Sequence, residues 1–392
     1  MNQKLFFTLL RPIEAVLASI SPIIDQQALS QKLFFADFVK KLLFAYLEQV
    51  SSLRSLSVEL QTNAKSQALG LCFTPFSTLK DGFYRFSSEA CRTLFETVLS
   101  ELKLKRIKGL DEIGLFRVID GSLFPTLIQI SWSEYRKRKN AFKLHLSFEL
   151  NRMIPTEFLI GSGKSSERDF LLKVLEVGVT YIADRGYASF EIIAKLVQAQ
   201  AYFVFRVKDN LLYEVAEVLS SATEELPKCF HQVRDELVVF KNDRHQSRVR
   251  LFQFKVAGSY FRLLTNRREL STLQIIILYA YRWQIELFFK YLKRTLNGLH
   301  LFNHSENGVG IQFYLLMTLA LLLLKFKQQR EPKKKRKTEK AEKNEANPSD
   351  WIKKISEIFY ESWKISKKWL LIIKNSLSKV VDNELLTMLD SC

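Results

Sequence analysis

Apolar residues recur every three or four positions through Phe34, Phe38, Leu42, Leu43 and Leu47. That spacing lines one face of an α-helix, and the glycine-poor stretch from residue 1 to about 108 is predicted helical throughout. Within it, KSQALGLCFTPFSTLKDGFYRF reads as a short helix, a turn around Thr74 and Pro75, and a second helix capped by Ser77. This is the layout of a helix-turn-helix, or of two core helices joined by a turn. At Leu115 the period changes to two. FRVIDGSL, PTLIQISW and FKLHLSFEL predict short strands, separated by turn residues and the basic loop Arg136-Lys137-Arg138-Lys139. A helix follows over about Ser166–Val177, then the strand VTYIA ending in Asp184-Arg185-Gly186, and a helix near Ser189–Gln198. Three further strands, AYFVFRV, SRVRLFQFKV and YFRLLTNR, precede a long helix from Ser271 to about Leu296 and an apolar helix at Gly308–Leu324.

Strands alternating with helices make the chain α/β, and 392 residues with 47% hydrophobic content suffice for a real core. The net charge of +18 points to a polyanionic partner. Cys72, Cys91, Cys229 and Cys392 lie far apart with no C-x-x-C pair, which excludes a disulfide scaffold and a zinc site. Arg11, Pro12 and Glu14 interrupt the apolar start, so no secretory signal is read and a cytoplasmic, nucleoid-associated protein is expected. Gly308–Leu324 is short for a membrane span and is read as a buried core helix, with no membrane partner. From Lys327 to Asp350 Lys, Glu, Asn and Pro dominate, the composition of a solvated basic linker, and its PKKKRK run suits contact with DNA phosphates. The tail from Trp351 is predicted to be an amphipathic helix or helix pair.

Three carboxylates stand out. Asp120 lies in RVIDGS, Asp184 ends YIAD, and Glu286 falls inside the long helix. Carboxylates at strand ends are rigidly aimed oxygen ligands for a hard cation, although Asp before Gly is equally ordinary turn chemistry. At about 100° per residue, with Tyr279 at 0°, Arg282 falls at about 300°, Glu286 at about 340°, Lys290 at about 20° and Lys293 at about 320°. Ile277, Ile285, Phe288, Tyr291 and Leu292 fill the opposite side, so the helix packs on its back and carries an acid, cations and a phenol on its front. Trp283 borders that front. His145 alternates with core residues in FKLHLSF and is read as structural.

Tyr279-x2-Arg282-x3-Glu286-x6-Lys293 resembles the YREK signature of bacterial insertion-sequence transposases with a DDE active site (insertion sequence family four). RVIDGS, YIADRGY, FVFRVK, LLTNR and AYRWQIELFFKYLK resemble that family in the same order, over roughly Leu115–Leu324. The resemblance implies an RNase H-like catalytic domain with a β-rich insertion, flanked by a helical N-terminal region and a helical C-terminal tail. Together with the helical and compositional readings, the expected organisation is a DNA-end-binding region at 1–108, a catalytic domain at 109–326 with its insertion at about 200–268, the linker at 327–350 and the tail at 351–392. Asp120, Asp184 and Glu286 would be catalytic ligands of two Mg²⁺ ions, for which Mn²⁺ substitutes. Tyr279, Arg282, Trp283, Lys290 and Lys293 would hold DNA at the reacting bond, and Arg136, Lys137, Arg138 and Lys139 would follow its backbone.

The implied activity is cut-and-paste transposition: nicking of the terminal inverted repeats, hairpin formation and strand transfer to target DNA by a homodimer. A transposase-derived repressor without catalysis and a stand-alone RNase H-like nuclease are the competing readings. Intact acids speak against the first, and the YREK clamp with the insertion against the second. The basic linker yields a direct expectation. Replacing Lys333–Lys337 with Ser should weaken binding to random duplex and flatten the dependence of log K on log salt in a filter-binding titration, because fewer counterions are released.

Overall fold

The structure, a computed structural model, describes residues 3–26, 33–126, 134–136, 139–219, 231–245, 247–256, 259–296 and 298–330. Phe7–Arg330 form one compact unit. The linker run at Lys333–Lys337 and the tail expected from Trp351 lie outside the described residues, as do Lys137, Arg138, Cys229 and Cys392.

The first hundred residues are helical: α1 (Gln3–Gln26), α2 (Phe35–Leu47), α3 (Leu53–Thr62), α4 (Ala64–Ala68), α5 (Phe76–Arg85) and α6 (Ser88–Glu101), before a single turn, α7 (Lys108–Asp111). The 3.6 period shows in α2, whose Phe38, Leu42 and Leu43 are fully buried. α5 starts two residues earlier than expected: Pro75, not Ser77, occupies the cap position. A proline there forfeits no helical hydrogen bond, because the first N–H groups have no partner in the helix. Cys72 and Cys91 are both free thiols.

The strands form one ten-stranded sheet. β1 (Leu115–Thr126) pairs antiparallel with β3 (Lys139–Glu149), which also pairs with the short β2 (Glu134–Arg136) and with β4 (Ile154–Ser162). On its other edge β1 runs parallel to β5 (Val179–Ala183), and β5 parallel to β6 (Tyr202–Arg206). This antiparallel meander followed by parallel strands is the RNase H-like arrangement expected. β7 (Tyr213–Val218), β8 (His231–Phe240), β9 (Val249–Val256) and β10 (Ser259–Thr265) follow, and β10 pairs with β6, so the β-rich insertion extends the same sheet. Where three strands were expected after Gln198, five are found among the described residues, β7 and β8 being additional.

α8 (Glu167–Lys173) and α9 (Phe190–Gln198) cover one face, burying Phe170, Leu171, Ile192, Ile193 and Leu196 against Ile119, Tyr181, Phe203 and Phe205. The other face meets α10 (Thr272–Ala280), α11 (Trp283–Lys290) and α12 (Glu306–Arg330). Phe313 of α12 stands edge-on to Phe124 and Phe142 of the sheet, while Asn307 binds the Phe83 and Phe86 carbonyls. α12 thus joins the sheet to the N-terminal helices. It is long and apolar enough to cross a membrane, yet 72% of that stretch is buried in protein, as a core helix would be. A second stretch, Phe6–Gln26, also meets the length and apolarity of a span, although Arg11, Pro12 and Glu14 had read as interruptions. α12 runs through Arg330, so the linker expected from Lys327 begins no earlier than the end of that helix.

Two buried arginines fix the insertion, Arg250 to the start of α10 and Arg267 back to the core. Arg250 grips Asp235 with two bonds of 2.5 and 2.8 Å, both residues being under 4% exposed, and its remaining donors reach the Leu270 carbonyl and Thr272 Oγ1. Arg267 donates to Thr180 Oγ1 and the Ile113 carbonyl. Asp235→Ala would leave the Arg250 charge buried and unpaired, a loss of about 3–5 kcal/mol. Urea unfolding should show a loss of that size in the unfolding free energy extrapolated to water, seen as a lower midpoint at unchanged slope, and Arg250→Met with Asp235→Leu should recover most of it.

Candidate active site

The parallel pairing of β1 with β5 runs from Leu115↔Val179 to Val118↔Ile182. Asp120 and Asp184 each stand two residues beyond that last pair, so the same register brings both to the carboxyl end of β5. From β1 the chain turns to β3 and β4 on one side, whereas β5 leads to β6 on the other. The gap between β1 and β5 is therefore the topological switch point, where open α/β sheets take their ligands. Asp120 Oδ1 accepts from the Gly121 N–H at 2.8 Å, and Asp184 Oδ1 from the Arg185 N–H at 2.8 Å.

The third acid arrives on a helix that is not continuous. A capping box of Ser271 and Gln274 starts α10, which ends at Ala280. Tyr281 and Arg282 form a tighter turn, α11 follows, and Tyr291–Thr295 is a π-helical turn. The single helix expected from Ser271 to about Leu296 is corrected to these three pieces. Arg282, Tyr279 and Glu286 nonetheless share the site. Arg282 Nη1 lies 2.8 Å from Glu286 Oε1 and 3.9 Å from Asp120 Oδ2, and the Tyr279 hydroxyl donates to Asp184 Oδ1 at 3.3 Å.

The remaining expected residues divide. Lys293 Nζ donates to Ser122 Oγ and the Leu123 carbonyl, each at 2.8 Å, and sits 4.6 Å from the Phe124 ring centre. It fastens β1 just past Asp120. Lys290 is exposed over the Trp283 ring, 5.9 Å from its centre, and Trp283 is 47% exposed at the rim. Arg136 and Lys139 are a register pair at the β2–β3 turn. His145 is fully buried, with its Nε2 2.7 Å from Ser165 Oγ and its ring stacked on Phe170, so the structural reading fits. Sequence reasoning passed over Glu167, which acts electrostatically on Asp120, and its partner Lys143 at 2.6 Å. Only the even spacing of Lys143 from His145 hinted at them.

Burial raises the Asp120 carboxyl to about 6, with Glu167 and Glu286 adding to the effect and the Gly121 N–H and Arg282 opposing it. Burial alone would lower the Arg282 guanidinium, but it is raised because Tyr279, Glu286 and Asp184 surround it. Among the described residues no three His, Cys, Asp or Glu side chains lie close enough to hold a metal ion as they stand. The donor chemistry fits a hard divalent cation all the same. Asp120 and Glu286 meet at Arg282, on which Asp184 also acts electrostatically, so three hard oxygen donors surround one positive charge.

A family profile described as Transposase DDE domain matches residues 113–323, just over half of the chain. The chain belongs to that family. Among curated relatives, it is 26% identical over 216 residues to the transposase-type protein y4zB of Sinorhizobium fredii, covering 54% of this chain and 60% of that one. It is 23% identical over 250 residues to a transposase for insertion sequence element IS5377 of Geobacillus stearothermophilus, covering 63% and 66%. Identity is 28% over 235 residues to a transposase for insertion sequence element IS4SA of Synechocystis, covering 57% and 62%. The chain thus spans about three fifths of the length of these relatives. Among solved structures, a piggyBac transposase synaptic complex with hairpin DNA superposes with a TM-score of 0.42 at 11% identity, covering 98% of this chain and 86% of that one. The family match bears out the resemblance read from the YREK spacing.

Because the Asp120 carboxyl titrates higher in the fold than in an unfolded chain, the folded state holds the extra proton. Stability contributed at this position is therefore present below about pH 4 and lost as pH rises through about 6. Asp120→Asn should accordingly melt higher than wild type at pH 7.5 in EDTA, by on the order of 1 kcal/mol, and equal it at pH 4. The same variant should lose DNA cleavage, as should Asp184→Asn and Glu286→Gln, while gel-shift affinity for transposon ends stays within a few fold.

Proposed function

We propose that this transposase-family protein moves an insertion sequence by metal-dependent cut-and-paste chemistry: nicking at the terminal inverted repeats, hairpin formation and strand transfer to target DNA. The observation that carries this reading is the convergence of Asp120, Asp184 and Glu286, from β1, the end of β5 and α11, upon Arg282. Two Mg²⁺ ions, or Mn²⁺ in their place, would be held by these three acids and would supply an activated water and a stabilised leaving 3′ oxygen. No covalent protein intermediate is needed.

The chain's own groups do the positioning. Arg282 is free to exchange the carboxylates for a DNA phosphate, and its planar fork suits two phosphate oxygens. Tyr279 keeps a hydroxyl against Asp184. Trp283, exposed at the rim beside Lys290, supplies a surface on which an unpaired base stacks. The basic residues Arg136–Lys139 follow the backbone, and the helices of residues 1–108 take the transposon end. A homodimer would hold two ends in the cytoplasm, on the nucleoid.

The two cations of the signature should separate in a time course on a labelled transposon end. Arg282→Ala should nick the first strand and then stall, because the strained second-step DNA loses its charged clamp and much of its proximity advantage. Lys293→Ala should slow first-strand nicking itself, since Lys293 holds β1 beside Asp120. On a denaturing gel, equal slowing of both steps by Arg282→Ala would remove the clamp from the mechanism and leave the acids in place.

A further inference from the structure

Beyond Val118↔Ile182 the strands β1 and β5 are no longer paired, and the glycines that follow the two aspartates, Gly121 and Gly186, flank that opening. Neither has a positive φ, so backbone conformation does not call for glycine at either place. Space does. A Cβ on Gly121 would lie 3.0 Å from Lys143 Cε and 3.1 Å from Glu167 Oε1, and a Cβ on Gly186 would lie 3.3 Å from Glu167 Oε2. One carboxylate, its two oxygens turned to the two glycines, therefore fills the opening from the face opposite Glu286.

That carboxylate is held firmly. Lys143 Nζ binds it at 2.6 Å with both side chains mostly sheltered, and the neighbouring Arg168 donates from Nε to the Gly186 carbonyl at 2.9 Å. The approach to α8 is fixed separately: Ser166 caps the helix, and His145, the register partner of Gly121, binds Ser165. A sheltered ion pair resists displacement far more than an exposed one, because moving either partner strands the other charge.

We infer that the Lys143–Glu167 pair is a positioning wedge, which sets the separation of Asp120 from Asp184 by filling the space that Gly121 and Gly186 leave. The inference rests on the reading of those aspartates as catalytic. Glu167 acts through the two glycine segments and is a positioning residue, distinct from the three acids.

The test uses the full chain, with Mn²⁺ binding followed by electron paramagnetic resonance beside nicking of a labelled transposon end. Gly121→Ala and Glu167→Ser should each slow nicking several-fold, since the crowding at Gly121 amounts to a few tenths of an ångström, against about a hundredfold for misplacement by about 1 Å. Both should weaken Mn²⁺ binding while circular dichroism stays that of wild type. The double variant should be no slower than its slower parent, because the added methyl enters the room that serine frees. Losses that multiply in the double variant, or wild-type nicking and Mn²⁺ binding in Glu167→Ser, would overturn the wedge. Asp120→Asn run alongside keeps the two readings apart: its failure to lose Mn²⁺ binding and nicking would overturn the catalytic assignment itself.

Discussion

Asp120 and Glu286 repel one another and must be kept together beside Arg282, and that constraint organises the molecule. Two unit charges about 4 Å apart at an effective dielectric near 20 interact by about 4 kcal/mol. Arg282 offsets part of this for Glu286 at 2.8 Å and less for Asp120 at 3.9 Å. Burial adds the larger cost, and the raised Asp120 carboxyl is its trace, with Glu167 and Glu286 adding to it. A site that is not self-stabilising has to be imposed by the segments that carry it. Asp120 is imposed by a twelve-residue strand paired along both edges, Asp184 by the fully buried strand that ends one residue earlier, and Glu286 by a helix anchored at its start.

That anchoring explains what a long insertion does between two of the candidate site's acids. The 101 residues separating Asp184 from Glu286 leave the core at β6 and return beside it at β10. The return is locked twice. Arg267 reaches back to Thr180 on β5 and lies over the rings of Phe116 and Tyr202, while Arg250 and Asp235 hold Thr272, the first residue of α10. Buried ion pairs contribute little net stability against a hydrophobic alternative, but they tolerate only one geometry. Here the geometry they fix is the place from which α10 departs, with α11 and Glu286 following it.

The fold class, the order of the acids and most core strands were legible because burial writes itself into period two and period 3.6: VTYIA, FVFRV and the α2 face are cases in point. β7 and β8 were not. YEVAEV is exposed along most of its length and β8 carries a register shift between His231 and Arg234, so neither alternates cleanly. β4 begins Ile-Pro and was missed for the same lack of pattern. Asp120-Gly121 read equally as turn chemistry, but Gly121 lies inside a strand and is small because of what stands behind it, which no local sequence signal could tell. Convergence of the signature residues was legible from spacing, whereas Lys293 binding β1 and Lys290 lying over Trp283 depend on side-chain surroundings that spacing does not specify.

The broken helix shows why the spacing worked at all. Nothing in Ala280–Trp283 is glycine or proline, yet the N–H groups of Arg282, Gln284 and Ile285 bond three residues back, which overwinds the chain relative to an α-helix. At Tyr291–Thr295 the Leu296 N–H bonds five residues back to Tyr291, which underwinds it. Only the overwound turn lies between Tyr279 and Glu286, and at about 20° of extra rotation per residue it leaves Tyr279, Arg282 and Glu286 on one side of the chain, as a straight wheel places them, although no straight helix exists. What remains of the mismatch falls on the last member, and Lys293, carried on the widened turn, reaches Ser122 and Leu123 of β1 and not the acids. The final, longest gap of the signature thus spans from the candidate site to the strand that bears Asp120.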